Sequence, residues 1–171
     1  SHGGGRILTN LLEVEGALHA MLRASFPSST LSRAVFEDLP VHQQWQAMAR
    51  TDVLIGVHGA GLTNLLFLPR CGQLIELMPK GLTAGFTDWI WAVPGSRYYA
   101  IHFPTKMNEN ITVSTPEFIG IVHEAASYWT RCMSDGLFPR GDVRSGVKGG
   151  MKAPKGSGGS GVGGARGGKA K

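Results

Sequence analysis

The sequence lacks several features that would define its class directly. No run of about 18 or more apolar residues occurs, so no membrane-spanning helix is predicted within these 171 residues. The two cysteines, Cys71 and Cys132, form no Cys-x-x-Cys pair and the six histidines are scattered, so no metal site is expected. The two thiols can instead form one disulfide if the chain resides in an oxidising compartment. No signal peptide or initiator Met opens the chain, so we expect a fragment whose membrane anchor would precede it.

The last 33 residues, 139–171, lack aromatic side chains and periodic apolar positions, and they contain 12 Gly, 5 Lys, 3 Arg and one acidic residue. Burial cannot offset the ordering entropy of such a segment, so a disordered tail is predicted after a folded domain of residues 1–138. The tail holds 8 of the 17 basic residues and 1 of the 12 acidic ones, which changes the net charge from +5 for the chain to −2 for the domain. The basicity therefore predicts no specific nucleic acid partner. The tail is either a low-complexity extension or a nonspecific contact to acidic surfaces such as RNA.

Apolar periodicity and breaker residues predict alternating helices and strands. Helices are predicted at 11–25, 40–50, 62–68 and 116–132, and strands at 31–36, 53–57 and 73–78; a loop with a short helix or strand is predicted at 89–100. This alternation with short connections is typical of an α/β fold, with a Rossmann-like parallel sheet and flanking helices. In such folds ligands bind beyond the carboxyl ends of the strands.

One glycine-rich turn, His58-Gly59-Ala60-Gly61, directly follows the predicted strand 53–57 and leads into the predicted helix 62–68. Backbone N–H groups and a helix N-terminus at this place favour an anion, most often a phosphate or diphosphate. We expect the two glycines to adopt positive φ and to let a ligand approach the backbone closely. Thr63 and Asn64 are expected to bond to the first-turn amides or to a ligand oxygen.

Known phosphate-binding and nucleophile patterns do not match this turn. No Gly-Lys-Ser/Thr follows, as a P-loop requires, and Asn64 stands at the third glycine of a dinucleotide fingerprint. No serine occupies the turn, which excludes a nucleophile elbow. The anion site is therefore predicted from its physical features and not from these motifs.

The same residues resemble the signature of glycosyltransferase family 61. The resemblance is carried by residues 51–69 (TDVLIGVHGAGLTNLLFLP) and 74–77 (LIEL), with weaker matches at 6–10 (RILTN) and at Gln43/Gln44. Arg70-Cys71 departs from the Pro-Gly usual in that family. The resemblance implies a GT-B architecture in which this chain is the C-terminal, donor-binding lobe. It also implies inverting transfer of xylose, N-acetylglucosamine or arabinose from a UDP-sugar to a glycoprotein or polysaccharide acceptor. The expected location is the Golgi or endoplasmic reticulum lumen, and no metal cofactor is expected, because an Asp-x-Asp motif is missing.

Individual site residues follow from the turn and the resemblance together. His58 either donates a hydrogen bond to a phosphate oxygen or the donor sugar, or satisfies a backbone group of the turn. Glu76 either binds ribose or sugar hydroxyls, orients His58 or Arg6, or faces outward; Arg6 either binds diphosphate or is solvated. The predicted donor-binding set is His58, Gly59, Ala60, Gly61, Thr63, Asn64, Glu76 and Arg6.

No residue is assigned as catalytic base, and two further features stay open. The tripeptide at 110–112 is an N-glycosylation sequon with Asn110 as acceptor. The four tryptophans are expected in the core or at interfaces, with Trp89 and Trp91 nearest to a ligand edge. The alternative to a glycosyltransferase is a non-catalytic nucleotide- or anion-binding α/β module, or a fragment without activity.

Overall fold

The structure is a computed structural model that describes residues 8–82, 85–104 and 109–135. Arg6 and the predicted tail 139–171 lie outside the described residues. Four α-helices are described: α1 (Leu11–Ser25), α2 (Val41–Met48), α3 (Thr87–Ile90) and α4 (Thr115–Ser134). Three strands are described: β1 (Val53–Val57), β2 (Gln73–Pro79) and β3 (Arg97–Phe103). Two 3₁₀ helices complete the described elements, one at Phe36–Asp38 and one at Ala60–Phe67; the second is called the turn helix below.

The three strands form one parallel sheet in the order β1-β2-β3, which confirms the predicted α/β class with a parallel sheet and helices. The central strand β2 is buried along its whole length, as expected for a parallel strand covered on both faces. In the sheet register Glu76 of β2 lies between Gly56 of β1 and Ala100 of β3. Two small neighbours thus flank the one carboxylate of the central strand.

Helices cover both faces of this sheet. On one face α1 and α4 enclose a core that includes Ile75, Leu77 and Ile101 of the strands. On the other face α2, the turn helix and α3 enclose a second core around Leu54 and Leu74. The sheet alternates its side chains between these two cores, so Glu76 points to the same face as Leu74, towards the turn helix.

Helix α1 has the predicted bounds and depends on α4 for its burial. Val14, Leu18 and Met21 form a buried stripe at helical spacing, and α1 contacts α4 more than any other element. Two hydrogen bonds join the residues that precede the two helices: Asn10 Nδ2 donates to Val113 O at 2.9 Å, and Val113 N donates to Asn10 Oδ1 at 3.3 Å. A segment near the start of the chain is therefore fixed to one that follows about a hundred residues later.

Two predicted elements differ from the structure. Residues 31–36 form no strand, because residues 32–35 are exposed and have no strand beside them to complete a ladder. The predicted α-helix 62–68 is a 3₁₀ helix that begins earlier, at Ala60, since the chain turns directly from the strand end into its first bonds. The uncertain stretch 89–100 contains the end of α3 and the start of β3. No helix among the described residues is both long and apolar enough to cross a membrane.

A disulfide joins Cys71, in the connection from the turn helix to β2, to Cys132 near the end of α4, with their Cα atoms 6.0 Å apart. This is the pairing that the two cysteines allowed. Cys71 has φ 62°, in the left-handed region that disfavours residues with a Cβ. The resemblance noted in the sequence implies glycine at this position, so the departure falls where glycine would suit the backbone better.

Candidate functional site

The site is built at the carboxyl end of the sheet, where β1 passes into the turn helix. The His58 N–H donates to Leu77 O at 2.9 Å, which continues the β1-β2 ladder one residue beyond the strand. The backbone of His58 is therefore held as firmly as that of a strand residue. Its side chain lies at the edge of the protein and retains 18% exposure. This is the position at which parallel α/β sheets bind ligands.

Glu76 is fully buried and accepts three hydrogen bonds. Its Oε1 lies 2.6 Å from His58 Nδ1, while Oε2 accepts from the Tyr98 hydroxyl at 2.7 Å and from the Phe86 N–H at 3.0 Å. These bonds offset the desolvation of a buried carboxylate, which is costly without partners. Glu76 therefore does not face outward, and its contact with His58 is the one that the orienting alternative requires.

The residues that complete this network were missed by sequence reasoning. Tyr98, Phe86 and Gly85 come 9 to 22 positions after Glu76, in a stretch that gave no clear pattern. A Cβ on Gly85 would lie 2.5 Å from the Tyr98 hydroxyl and 2.8 Å from Glu76 Oε2, so only glycine leaves room for their bond. Burial raises the pKa of Tyr98, and the hydrogen bond to Glu76 and its charge raise it further. Tyr98 lies on the same face of β3 as Ala100, which pairs with Glu76, so only the register between β2 and β3 would have indicated the tyrosine.

The turn itself differs from the prediction in its backbone. Gly59 has φ 166°, an extended conformation open to any residue, and Gly61 is absent from the described glycines with positive φ, which are Gly81 and Gly95. Positive φ is not needed because the 3₁₀ helix begins directly from the extended Gly59. The first bond of the helix runs from Leu62 N to Gly59 O at 3.0 Å. The amides of Ala60 and Gly61 precede that bond and point out of the helix start.

The side chains of Thr63 and Asn64 donate to carbonyl oxygens and do not bond to the first-turn amides; the alternative contact with a ligand oxygen stays a prediction. Thr63 Oγ1 donates to Ala60 O at 2.8 Å, and Asn64 Nδ2 donates to Gly61 O at 3.2 Å. In a 3₁₀ helix the carbonyl three residues back lies beneath the side chain, which explains both bonds. Asn64 Nδ2 also donates to Gln44 Oε1 at 3.0 Å, so α2 braces the turn helix.

Aromatic rings and an open cavity adjoin the His58–Glu76 pair. The Phe86 ring lies 5.7 Å from the His58 ring, and Trp89 lies 5.8 Å beyond it. A cavity of about 310 Å³ lies along β3, on the face of the sheet that Glu76 shares, and is lined by Gly85, Thr87, Tyr98 and His102 among others. Trp89 and Trp91 are 46% and 76% exposed, so neither lies in the core, and the interface and ligand-edge positions stay predictions for both.

Two remaining predictions and the metal question concern other parts of the chain. Arg6 lies outside the described residues, so its predicted contact with diphosphate stays a prediction. Asn110 is exposed and begins the predicted sequon, in which Ile111 is fully buried. Within the described ranges no group of three or more His, Cys, Asp or Glu side chains is placed to hold a metal ion.

Comparison with known proteins finds similarity to glycosyltransferases in the first 75 residues of the chain. The family model described as Glycosyltransferase 61 matches residues 1–75, which confirms the resemblance to that family. The match includes the turn but ends just before Glu76, and the Tyr98 network lies beyond it. No solved structure is significantly similar to the chain.

The curated relatives are larger transferases that share only a short segment with this chain. An EGF domain-specific O-linked N-acetylglucosamine transferase of Drosophila melanogaster is 49% identical over 47 residues, which is 28% of this chain and 9% of the relative. Alpha-1,3-arabinosyltransferase XAT3 of Oryza sativa subsp. japonica is 54% identical over 39 residues, or 23% of this chain and 6% of the relative. The EGF domain-specific transferase of Bos taurus is 33% identical over 75 residues, or 44% of this chain and 13% of the relative. The matches thus span about a tenth of the relatives' length.

Proposed function

We propose that this chain carries the donor-binding part of an inverting glycosyltransferase of GT-B architecture. The donor is a UDP-sugar of the xylose, N-acetylglucosamine or arabinose class, and the acceptor is a glycoprotein or a polysaccharide. The observation that carries the proposal is the pair formed by the partly exposed His58 and the buried Glu76 beside the start of the turn helix. The family-model match over residues 1–75 supports the same reaction class, because the relatives that share this segment are named as transferases of N-acetylglucosamine or arabinose.

The diphosphate is proposed to bind at the amides of Ala60 and Gly61. These N–H groups precede the first bond of the turn helix, and the partial positive charge of a helix start favours an anion there. Arg6 would add a cation, as the sequence predicted. Amide and arginine donors could neutralise the diphosphate without a metal ion, and we expect binding that does not require Mg²⁺ or Mn²⁺.

The nucleoside is proposed to occupy the cavity beside Tyr98. Its volume of about 310 Å³ and its mixed lining of Thr87, Tyr98, His102 and apolar side chains suit a flat base with an attached ribose. The cavity lies next to the Glu76 network, so one ligand could reach from the turn into it. The donor would then extend from the end of β1 to the cavity along β3.

A lumenal compartment is proposed for the protein, in the Golgi or endoplasmic reticulum. The disulfide between Cys71 and Cys132 supports an oxidising environment, since cytosolic thiols are kept reduced. The exposed sequon at Asn110 would be glycosylated in the same compartment. Any attachment to a membrane would come from a segment that precedes these residues.

Calorimetric titration with UDP tests the diphosphate site through a matched pair of variants at Ala60, which is exposed. Ala60→Asp places a negative charge at the proposed diphosphate position while favouring the helix start, so it should keep the fold and weaken UDP binding at least about tenfold. Ala60→Asn has nearly the same shape without the charge and should bind UDP like the unmodified chain. The titration is repeated with EDTA and with Mn²⁺ to test the expected metal independence.

Saturable UDP binding that the aspartate variant loses and the asparagine variant keeps would support the donor site. Unchanged binding in both variants would place the nucleotide elsewhere and refute the proposed diphosphate position. Equal weakening in both would mean that the side chain and not the charge matters, and circular dichroism of both proteins would show whether the fold is damaged. A folded chain that binds no UDP would refute the proposal and favour the non-catalytic module or an inactive fragment.

A further inference from the structure

We infer that Glu76 and Tyr98 are positioning residues that hold His58 as its Nδ1–H tautomer, so that Nε2 accepts a hydrogen bond from a hydroxyl of the donor sugar. The inference rests on the proposed function for its ligand. It deepens that function because it chooses the sugar over the phosphate as the partner of His58. The positioning part depends on the chain alone and can be tested without any ligand.

The first step is the state of Glu76. The Phe86 N–H can only donate, and the Tyr98 hydroxyl donates as well; both reach the same oxygen of Glu76, Oε2. Two donors on one oxygen favour the ionised carboxylate. The other oxygen, Oε1, is then an acceptor that demands a donor from His58 at 2.6 Å.

The second step is the state of His58. In a histidine the hydrogen bond made by one ring nitrogen decides which nitrogen carries the proton. Because Nδ1 faces a carboxylate oxygen, it must carry hydrogen in both the neutral and the cationic ring. The neutral ring therefore has its lone pair on Nε2. Such a nitrogen accepts a hydrogen bond from a hydroxyl but cannot donate one to a phosphate oxygen.

The third step is the rigidity of the arrangement. Tyr98 stands on β3, Glu76 on β2 and His58 at the end of β1, so three neighbouring strands contribute to one network. The backbone of His58 is bonded to Leu77 O, and Gly85 leaves the space that the Glu76–Tyr98 bond needs. A ring held in this manner presents Nε2 in one direction, which is what discrimination among sugar hydroxyls requires.

Nitrogen-15 NMR of the free chain tests the positioning role. The spectrum of His58, identified among the six histidines by its loss in His58→Ala, should show the Nδ1–H tautomer above neutral pH. Glu76→Gln should give a mixture of both tautomers, since an amide can accept or donate. Tyr98→Phe should cause a smaller shift in the same direction. Tyr99→Phe is the matched control and should change nothing, because its side chain packs on the opposite face of the sheet.

An Nε2–H tautomer in the unmodified chain, or one unchanged in Glu76→Gln, would overturn the inference. A His58 spectrum unchanged in Tyr98→Phe would remove Tyr98 from the network's function. These outcomes do not depend on nucleotide binding, so they are distinct from a failure of the proposed function.

The ligand part is tested with UDP, UDP-xylose, UDP-N-acetylglucosamine and UDP-arabinose by calorimetry. At least one UDP-sugar should bind the unmodified chain several-fold more tightly than UDP does, and His58→Ala should remove that increment while leaving UDP affinity within about twofold. His19→Ala, an exposed histidine on α1, is the control and should retain the increment. An equal loss of affinity for UDP in His58→Ala would assign the ring to the diphosphate instead. No increment for any of the three sugars would refute the hydroxyl contact.

Discussion

Removal of the disulfide should cost this domain a large part of its stability. Cys71 and Cys132 are 61 positions apart, and the chain-entropy relation for a loop of that length gives about 4 kcal/mol at 25 °C. Small domains unfold with only about 5–15 kcal/mol, so a loss of this size would bring the chain close to unfolding. The assay is urea denaturation followed by circular dichroism, with and without a reducing agent.

The stability of a chain without the disulfide should depend on which residue replaces Cys71. Cys71 holds φ 62°, where a Cβ costs roughly 1 kcal/mol. With Cys132→Ala in both proteins, Cys71→Gly should therefore be more stable than Cys71→Ala by about 1 kcal/mol. The comparison removes the disulfide from both members, so it reports the backbone conformation alone.

Two results would refute this reasoning. A reduced chain that unfolds within about 1 kcal/mol of the oxidised one would show that the loop is already constrained in the unfolded state. An alanine variant as stable as the glycine variant would show that residue 71 leaves the left-handed region once the disulfide is absent.

Three further predictions concern single side chains. Burial and Glu76 raise the pKa of Tyr98 in the folded chain, so the free energy of unfolding should be constant below about pH 10, the ordinary tyrosine pKa, and should fall above it. Tyr98→Phe should flatten this fall, which urea denaturation at pH 8 to 11 would measure. In the described part of the chain the buried Tyr99 hydroxyl has no hydrogen bond of good geometry, although the Arg97 guanidinium lies near it, so Tyr99→Phe should change stability by less than about 0.5 kcal/mol or raise it. A loss above about 2 kcal/mol would contradict this and show that Arg97 bonds the hydroxyl. A Cβ on Gly72 would meet the Pro69 carbonyl oxygen at 2.8 Å, so Gly72→Ala should lower the thermal midpoint by more than about 5 °C, whereas an unchanged midpoint would contradict the described connection.

The sequence predicted well those elements whose pattern is local. Helix α1 and strand β1 have the predicted bounds because a helical stripe and a short apolar run with a glycine turn are readable within a few residues. The strand predicted at 31–36 was wrong for the same reason: a suitable composition forms no strand unless a neighbour supplies the ladder. Strand β3 gave an ambiguous pattern because it lies at the edge of the described sheet and its first four residues are exposed or only half-buried, so it has no continuous apolar run.

The site was predicted in part, and the missing part is non-local. His58 and Glu76 were found from the turn and from a charge inside a buried strand, and their pairing was one of several alternatives. Tyr98 could not be found from spacing alone, because its contact with Glu76 depends on the register of two parallel strands joined by α3. The prediction of positive φ at Gly59 and Gly61 was wrong because the sequence does not distinguish the start of a 3₁₀ helix from that of an α-helix.

The bonds between Asn10 and Val113 also limit when this domain can fold during its synthesis. Helix α1 leaves the ribosome early, but α4, which covers its apolar stripe, follows about a hundred residues later. At about 5–20 residues per second the stripe stays without its native cover for roughly 5–20 s. The nascent chain therefore exposes Val14, Leu18 and Met21 to chaperones throughout the formation of the sheet, and the domain closes only when its last helix is complete.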